Sequence, residues 1–330
     1  MLDQISKEQV VVSFPGLGID DFILNKIAIK LGGLEIRWYG ILIALGMVLA
    51  FLYAGYRAKE SKITLDDVID LGLFSVIFGV MGARLYYVIM EHEMYHSFYD
   101  VIAIWNGGLA IYGGIIGGAI AVFCVAKVKS RKNKNISFAK CTDIILPGVM
   151  IAQSLGRWGN FFNGEAYGGV VAESSPLYFI RMGIFPNNID GEWGMAYVHP
   201  TFLYESLWNL VGFALINIFW KKKKFNGEIS LWYATWYGFG RMFIEGLRTD
   251  SLYIGTIRVS QLVGFVCFVV GLALIVTIRI LIMRKPQCAC CTAEANEIVE
   301  NEKNIENETV DEAEDSTVAE EKENENGENN

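Results

Sequence analysis

Seven stretches of the chain are long, apolar and poor in charge, and they limit the possible fold more than any other feature. A membrane-spanning helix needs about 20 mostly apolar residues. The stretches are Trp38–Tyr56, Val68–Met90, Leu109–Val128, Cys141–Leu155, Phe202–Trp220, Ile229–Ile244 and Val259–Met283. In lipid every backbone polar group must be bonded internally, so runs of this length read as helices. The expectation is an all-α integral membrane protein with seven transmembrane helices. The fourth and sixth runs are short unless the polar residues beyond them also sit at membrane depth. Composition agrees: 53% of the 330 residues are hydrophobic and 19% charged, whereas soluble domains are usually more charged.

The loops between the runs set the orientation, because Lys and Arg collect on the cytoplasmic side. Arg57, Lys59 and Lys62 follow the first run, Lys127 to Lys134 the third, Lys221–Lys224 the fifth, and Arg284 and Lys285 the seventh. The alternate loops are poor in both, and 91–108 has neither. The N-terminus is therefore expected outside and the C-terminus in the cytoplasm. Three regions follow: an outside arm over 1–35, a seven-helix transmembrane body over 36–285 with a long outside loop at 157–200, and a tail over 286–330. From Thr292 onward the tail holds 15 acidic and 2 basic residues, net −13, which leaves +5 for the rest of a chain whose total is −8. Such a composition cannot bury a core, and disorder is expected. The CACC cluster at 288–291 lacks a second pair or a histidine for metal binding and reads as free thiols. The first residues do not have the pattern of a cleaved signal peptide.

Ionisable groups inside a bilayer are costly and usually mark a function. Here they gather at the outer ends of the runs. Arg84 either snorkels to headgroups or forms an ion pair. Tyr112, in WNGGLAIYGG, is either an interfacial anchor or a ligand-facing hydroxyl. The glycines at 113, 114, 117 and 118 form GxxxG pairs, which suit helix packing or close approach to a lipid. Arg241, Glu245 and Arg248 share one helix face, and two arginines with one glutamate leave a positive charge to be satisfied. His199 and Glu205 open the fifth run; His199 is a cap, a structural hydrogen-bonding group or a proton carrier. Arg157, Asn160, Asn163 and Glu165 lie in GRWGNFFNGEAYGG (156–169), where glycines let the backbone pass close to a ligand. Together they indicate one outward-facing pocket whose arginines suit a phosphate.

GRWGNFFNGEAYGG closely resembles the signature G-R-x-[GA]-N-F-x-N-x-E-x-x-G of the prolipoprotein diacylglyceryl transferases. Gly156, Arg157, Gly159, Asn160, Phe161, Asn163, Glu165 and Gly168 meet every constrained position. RWYG (37–40), GAR (82–84), WNGGLAIYGG (105–114), HPTFLYE (199–205) and GRMFIEGLR (240–248) are similar to the family in the same order. The resemblance implies a multi-pass bacterial plasma-membrane enzyme with its site toward the outer face. It implies transfer of diacylglyceryl from phosphatidylglycerol to the lipobox cysteine of a prolipoprotein signal peptide. No cofactor, metal or nucleic-acid partner is implied. Well-studied members carry a histidine where this chain has Tyr112, so that residue cannot be the base here.

On this reading Arg157 and Arg241 bind the lipid phosphate and stabilise the leaving group, with Asn160 and Asn163 donating to it. Glu165 orients Arg157 or accepts the thiol proton, and Glu245 orients Arg241. Tyr39, Tyr87, Tyr112 and the backbone at Gly113 line the lipid site, with Tyr112 also assisting proton movement. A lipid transporter or flippase is the competing class, expected to spread polar groups through the full membrane depth; a structural scaffold would explain the GxxxG pairs alone.

Overall fold

The computed structural model describes residues 6, 8–95, 97–189, 192–249 and 251–284. The acidic tail and the CACC cluster lie outside them. The chain divides at Val276/Thr277; the first unit carries everything below, and of the second only the end of the last helix, through Arg284, is described.

Among the described residues eight α-helices run in the order α1 (Trp38–Glu60), α2 (Leu65–Met90), α3 (Phe98–Ile102), α4 (Ile111–Lys129), α5 (Phe138–Asn163), α6 (Thr201–Phe219), α7 (Glu228–Leu247) and α8 (Val259–Arg284). Among the described residues six helices are long and apolar enough to cross a membrane: α1, α2, α4, α5, α6 and α8. The sixth expected run does form a helix, α7, but it falls short of that apolarity. Glu228, Arg241 and Glu245 lie on it, and both glutamates are buried inside the bundle.

The all-α expectation is corrected by β-structure at the start of the chain and in the 157–200 segment. β1 (Gln9–Phe14) lies between β2 (Ile19–Asn25) and β5 (Met182–Ile189), and β6 (Glu192–Val198) completes a four-stranded antiparallel sheet ordered β2-β1-β5-β6. Two hairpins, β3 (Ile27–Leu31)–β4 (Leu34–Arg37) and β7 (Tyr253–Ile254)–β8 (Ile257–Arg258), precede α1 and α8. Val10, Val11 and Val12 are β-branched and favour a pleated strand, and all three are buried. The region expected as an outside arm thus supplies β1 and β2 of a cap.

That cap sits on the signature. Val10, Val12, Phe14, Met182, Ile184, Ala196 and Val198 share a core with Phe161 and Phe202. Phe161 stacks on Phe202 with ring centroids 4.5 Å apart, and Trp158 meets both rings edge-on. The signature phenylalanine therefore bonds the sheet to the ends of α5 and α6.

In the bundle α2 lies against α4, and a Cβ on Gly113 or Gly117 would run into the α2 carbonyls of Gly82 or Phe78. Gly114 and Gly118 have ordinary clearance. One of the two GxxxG pairs, Gly113/Gly117, thus holds the helices close.

Candidate active site

α5 runs through the first eight residues of the signature rather than stopping at Leu155, and it tolerates Pro147 within its length. This explains the short fourth run: the helix continues as Gly156–Asn163 and ends at Gly164, which caps it in the left-handed conformation at φ 64°. A Cβ at Gly164 would also meet Val10 of β1 at 2.7 Å. Two residues on, Ala166 is left-handed as well, at φ 56°, which costs about 1–2 kcal/mol for a residue with a Cβ. Its carbonyl accepts from the Thr201 hydroxyl at 2.7 Å.

The signature then threads between two helix ends. Gly168 N–H donates to the His199 carbonyl (2.9 Å), His199 N–H to Gly169 (3.0 Å) and Gly169 N–H to Leu247 (2.8 Å). A Cβ on Gly168 would lie 2.7 Å from the His199 Cβ and 2.9 Å from the Leu247 carbonyl. Gly168→Ala is expected to destabilise the fold by about 1–3 kcal/mol and to lower activity by separating α6 from α7; a thermal melt of the variant checks it, and an unchanged melt contradicts it.

This threading brings the arginines together. Glu205, one turn into α6 and buried, accepts Arg157 Nη2 on Oε1 at 2.8 Å and Arg241 Nη1 on Oε2 at 3.0 Å. Arg241 Nη2 also pairs with Glu245 Oε2 at 2.6 Å, one helical turn away. Two arginines and two glutamates make a network of zero net charge, buried where an isolated ion would be very costly. Glu205 takes one N–H donor of Arg241, which meets Glu245 as an ion pair without hydrogen-bond geometry, and Glu205 and Asn160 take two of those of Arg157. Donors therefore remain for an anion.

Glu165 is exposed and does not orient Arg157 directly. It accepts the amides of Asn160 (3.0 Å) and Asn163 (3.1 Å), while Asn160 Oδ1 receives Arg157 Nη1 at 3.3 Å. Asn160 is the intermediary. Tyr39, at the start of α1, lies against Gly159 and within electrostatic reach of Arg157 and Glu165. Tyr112, at the start of α4, is hydrogen-bonded to Ser260 of α8 at 3.2 Å and within reach of Arg241. Tyr237 lies on α7 one turn before Arg241, stacked on Tyr233.

Three expected participants have other surroundings. Arg84 is buried and pairs with no acid among the described residues: it donates to the carbonyls of Val101 (2.8 Å), Gly107 (2.5 Å), Gly108 (2.9 Å), Asp100 (2.6 Å) and Ala103 (3.3 Å). Gly107 and Gly108 have φ of 85° and 77°, which glycine adopts readily, so WNGG supplies two of the five carbonyls that cradle Arg84. Tyr87 packs at that cradle, edge-on to Tyr95, and Gly113 faces α2.

His199 Nδ1 lies 3.3 Å from the Tyr204 hydroxyl, and burial lowers its pKa. The unfolded chain therefore takes up a proton on this imidazole before the folded one does. Stability from this group is complete above the unfolded value of about 6.5 and declines as pH falls below it. Melts of wild type and His199→Gln at pH 7 and near pH 5 check the sign: the wild type should lose more stability on acidification.

Residues 26–277 match the family model for prolipoprotein diacylglyceryl transferase. The chain is 44% identical over 260 residues to phosphatidylglycerol–prolipoprotein diacylglyceryl transferase 1 of Clostridium perfringens (strain 13 / Type A), covering 77% of this chain and 95% of the relative. It is 48% identical over 259 residues to the corresponding transferase of Streptococcus pneumoniae (strain JJA), with 77% and 94% covered. The chain belongs to the prolipoprotein diacylglyceryl transferase family. The matched range contains every residue of the arginine network. In this diacylglyceryl transferase Glu205 joins the site residues expected from the sequence. The signal for Glu205 was available: an acid in the first turns of an apolar helix needs a buried cation, and GRMFIEGLR had one positive charge over.

Proposed function

We propose that the chain transfers diacylglyceryl from phosphatidylglycerol to the thiol of a prolipoprotein lipobox cysteine, at the outer face of a bacterial plasma membrane. The observation that carries this reading is the Arg157–Glu205–Arg241 bridge, which holds two guanidinium groups with spare donors inside an apolar bundle. On this reading α7 is the seventh spanning helix, made acceptable to lipid by turning its charges inward, and the N-terminus is outside, as the loop charges indicate.

The cysteine thiolate attacks the diacylglycerol carbon that bears the phosphate. A C–S bond forms, the C–O bond breaks, and its electron pair leaves on glycerol phosphate. Arg157 and Arg241 receive that charge in a water-poor setting, where preorganised donors contribute most. The same positive field favours thiolate over thiol, whose ordinary pKa is about 8.5. Glu165 carries no arginine among the described residues and takes the thiol proton. Tyr39 and Tyr112 line the lipid headgroup.

The test is mass spectrometry of a lipobox peptide incubated with the purified chain and phosphatidylglycerol. A diacylglyceryl thioether is expected; lipid movement between leaflets without an adduct favours a transporter. The Tyr112 hydroxyl positions rather than reacts, so Tyr112→Phe is expected to lose about 1 kcal/mol, less than tenfold in rate. Loss of all transfer in that variant would make the hydroxyl a required proton carrier.

A further inference from the structure

The helix ends remote from the arginines build a second polar site. Tyr39, Arg157, Glu205 and Arg241 lie at the start of α1, the end of α5, the start of α6 and the end of α7. The opposite ends of these four helices surround a concavity of about 480 Å³ lined by Lys62, Lys140, Lys221 and Lys223, with Asn135 and Trp220 among its walls. Its framework is fixed. Asp143, fully buried at the start of α5, accepts the backbone N–H groups of Gly227 (2.8 Å) and Ser230 (2.9 Å) and lies 3.5 Å from Lys223 Nζ. Trp220 is buried beneath Arg57, whose guanidinium lies 4.3 Å from its ring.

The charges do not balance there. Glu60 also borders the concavity, but it is paired with Arg57 at 3.1 Å. Asp143 serves Lys223. Among the described residues Lys62, Lys140 and Lys221 form no ion pair. Lys62 is also held at φ 55°, a left-handed position just past the end of α1 that helices usually fill with glycine. A side chain there costs about 1–2 kcal/mol and places an ammonium group on the rim. The Lys62 carbonyl accepts from Asn133 at 3.5 Å, and Asn133 Oδ1 receives the Asn135 N–H at 3.0 Å, which ties the α4–α5 connection to the same rim. Strain retained beside clustered, unpaired like charges is a mark of a ligand site.

We infer that this concavity binds a phosphate-bearing anion, supplied either as the headgroup of an anionic phospholipid or as free phosphate. Ammonium groups, an asparagine amide and an indole floor suit a phosphate oxygen cluster next to an apolar stem, and basic pockets between membrane helices bind headgroups in this way. The site is separate from the arginine network and from the transfer reaction.

Phosphatidic acid in a phosphatidylcholine–detergent background is the probe, with binding to the full chain read by native mass spectrometry. Measurements use the Arg157→Ala/Arg241→Ala background, which removes the other phosphate-binding arginines. One tightly bound phosphatidic acid is expected. Adding Lys62→Gln, Lys140→Gln and Lys221→Gln should weaken it about a hundredfold, at about fivefold per lysine. Arginine at the same three positions should retain it, which separates loss of charge from loss of fold. Millimolar inorganic phosphate that displaces the lipid assigns the site to free phosphate; retention of the lipid assigns it to headgroups. Unchanged affinity in the glutamine variant, or equal binding of phosphatidylcholine, overturns the inference.

Discussion

Glu205→Gln is expected to lower the rate of transfer to a lipobox peptide by at least about 10²-fold, without raising KM for phosphatidylglycerol. Glu205 accepts a hydrogen bond from each of the two arginines. Its two oxygens set the separation and the planes of the guanidinium groups. Glutamine keeps the shape but offers one oxygen and one amide, and that amide is a donor aimed at a donor. The network would then hold one positive charge too many. An anionic lipid would bind at least as well, but the arginines would no longer be aligned on the leaving oxygen. The signature of such a change is a fall in kcat with KM level or lower. Glu205→Ala should be worse, since removing one partner of a buried ion pair costs about 3–5 kcal/mol, and its melting temperature should fall with its activity. A glutamine variant with a high KM and normal kcat would instead make Glu205 a substrate-binding group.

Arg157→Ala and Arg241→Ala are each expected to reduce kcat by about 10²–10³-fold, the usual effect of deleting one donor to a developing oxyanion. Lysine at either position should recover little, because a single ammonium cannot bond Glu205 and a phosphate in the forked geometry of a guanidinium. The double variant should fall much less than the product of the singles, since both arginines act through one carboxylate and on one phosphate. Peptide transfer measured with the four enzymes side by side checks this. Near wild-type rates in both single variants would defeat the phosphate assignment.

Six helices able to cross a membrane were legible because burial in lipid leaves long apolar runs. α7 was legible as a helix and hard to weigh as a span, since its polar face is satisfied by α6 and not by lipid. The sheet was missed because its strands are distant in sequence: β1 pairs with β5 some 170 residues later, and nothing local announces that partner. The signature marked Arg157 and its asparagines, but the Arg157–Glu205 contact joins two helices across 48 positions. Arg84 shows the reverse. Its charge stands out in the sequence, whereas its five bonds go to backbone carbonyls, of which only those of Gly107 and Gly108 carry a sequence signal.

The most direct test of the account is the position of the lipid phosphorus relative to the arginines, read by 31P–15N dipolar couplings between bound phosphatidylglycerol and guanidinium-labelled chain. Phosphate oxygens at hydrogen-bond distance, about 2.7–2.9 Å from nitrogens of both Arg157 and Arg241, are predicted, with couplings lost selectively in each arginine variant. A lipid phosphorus coupled to neither guanidinium would contradict the account.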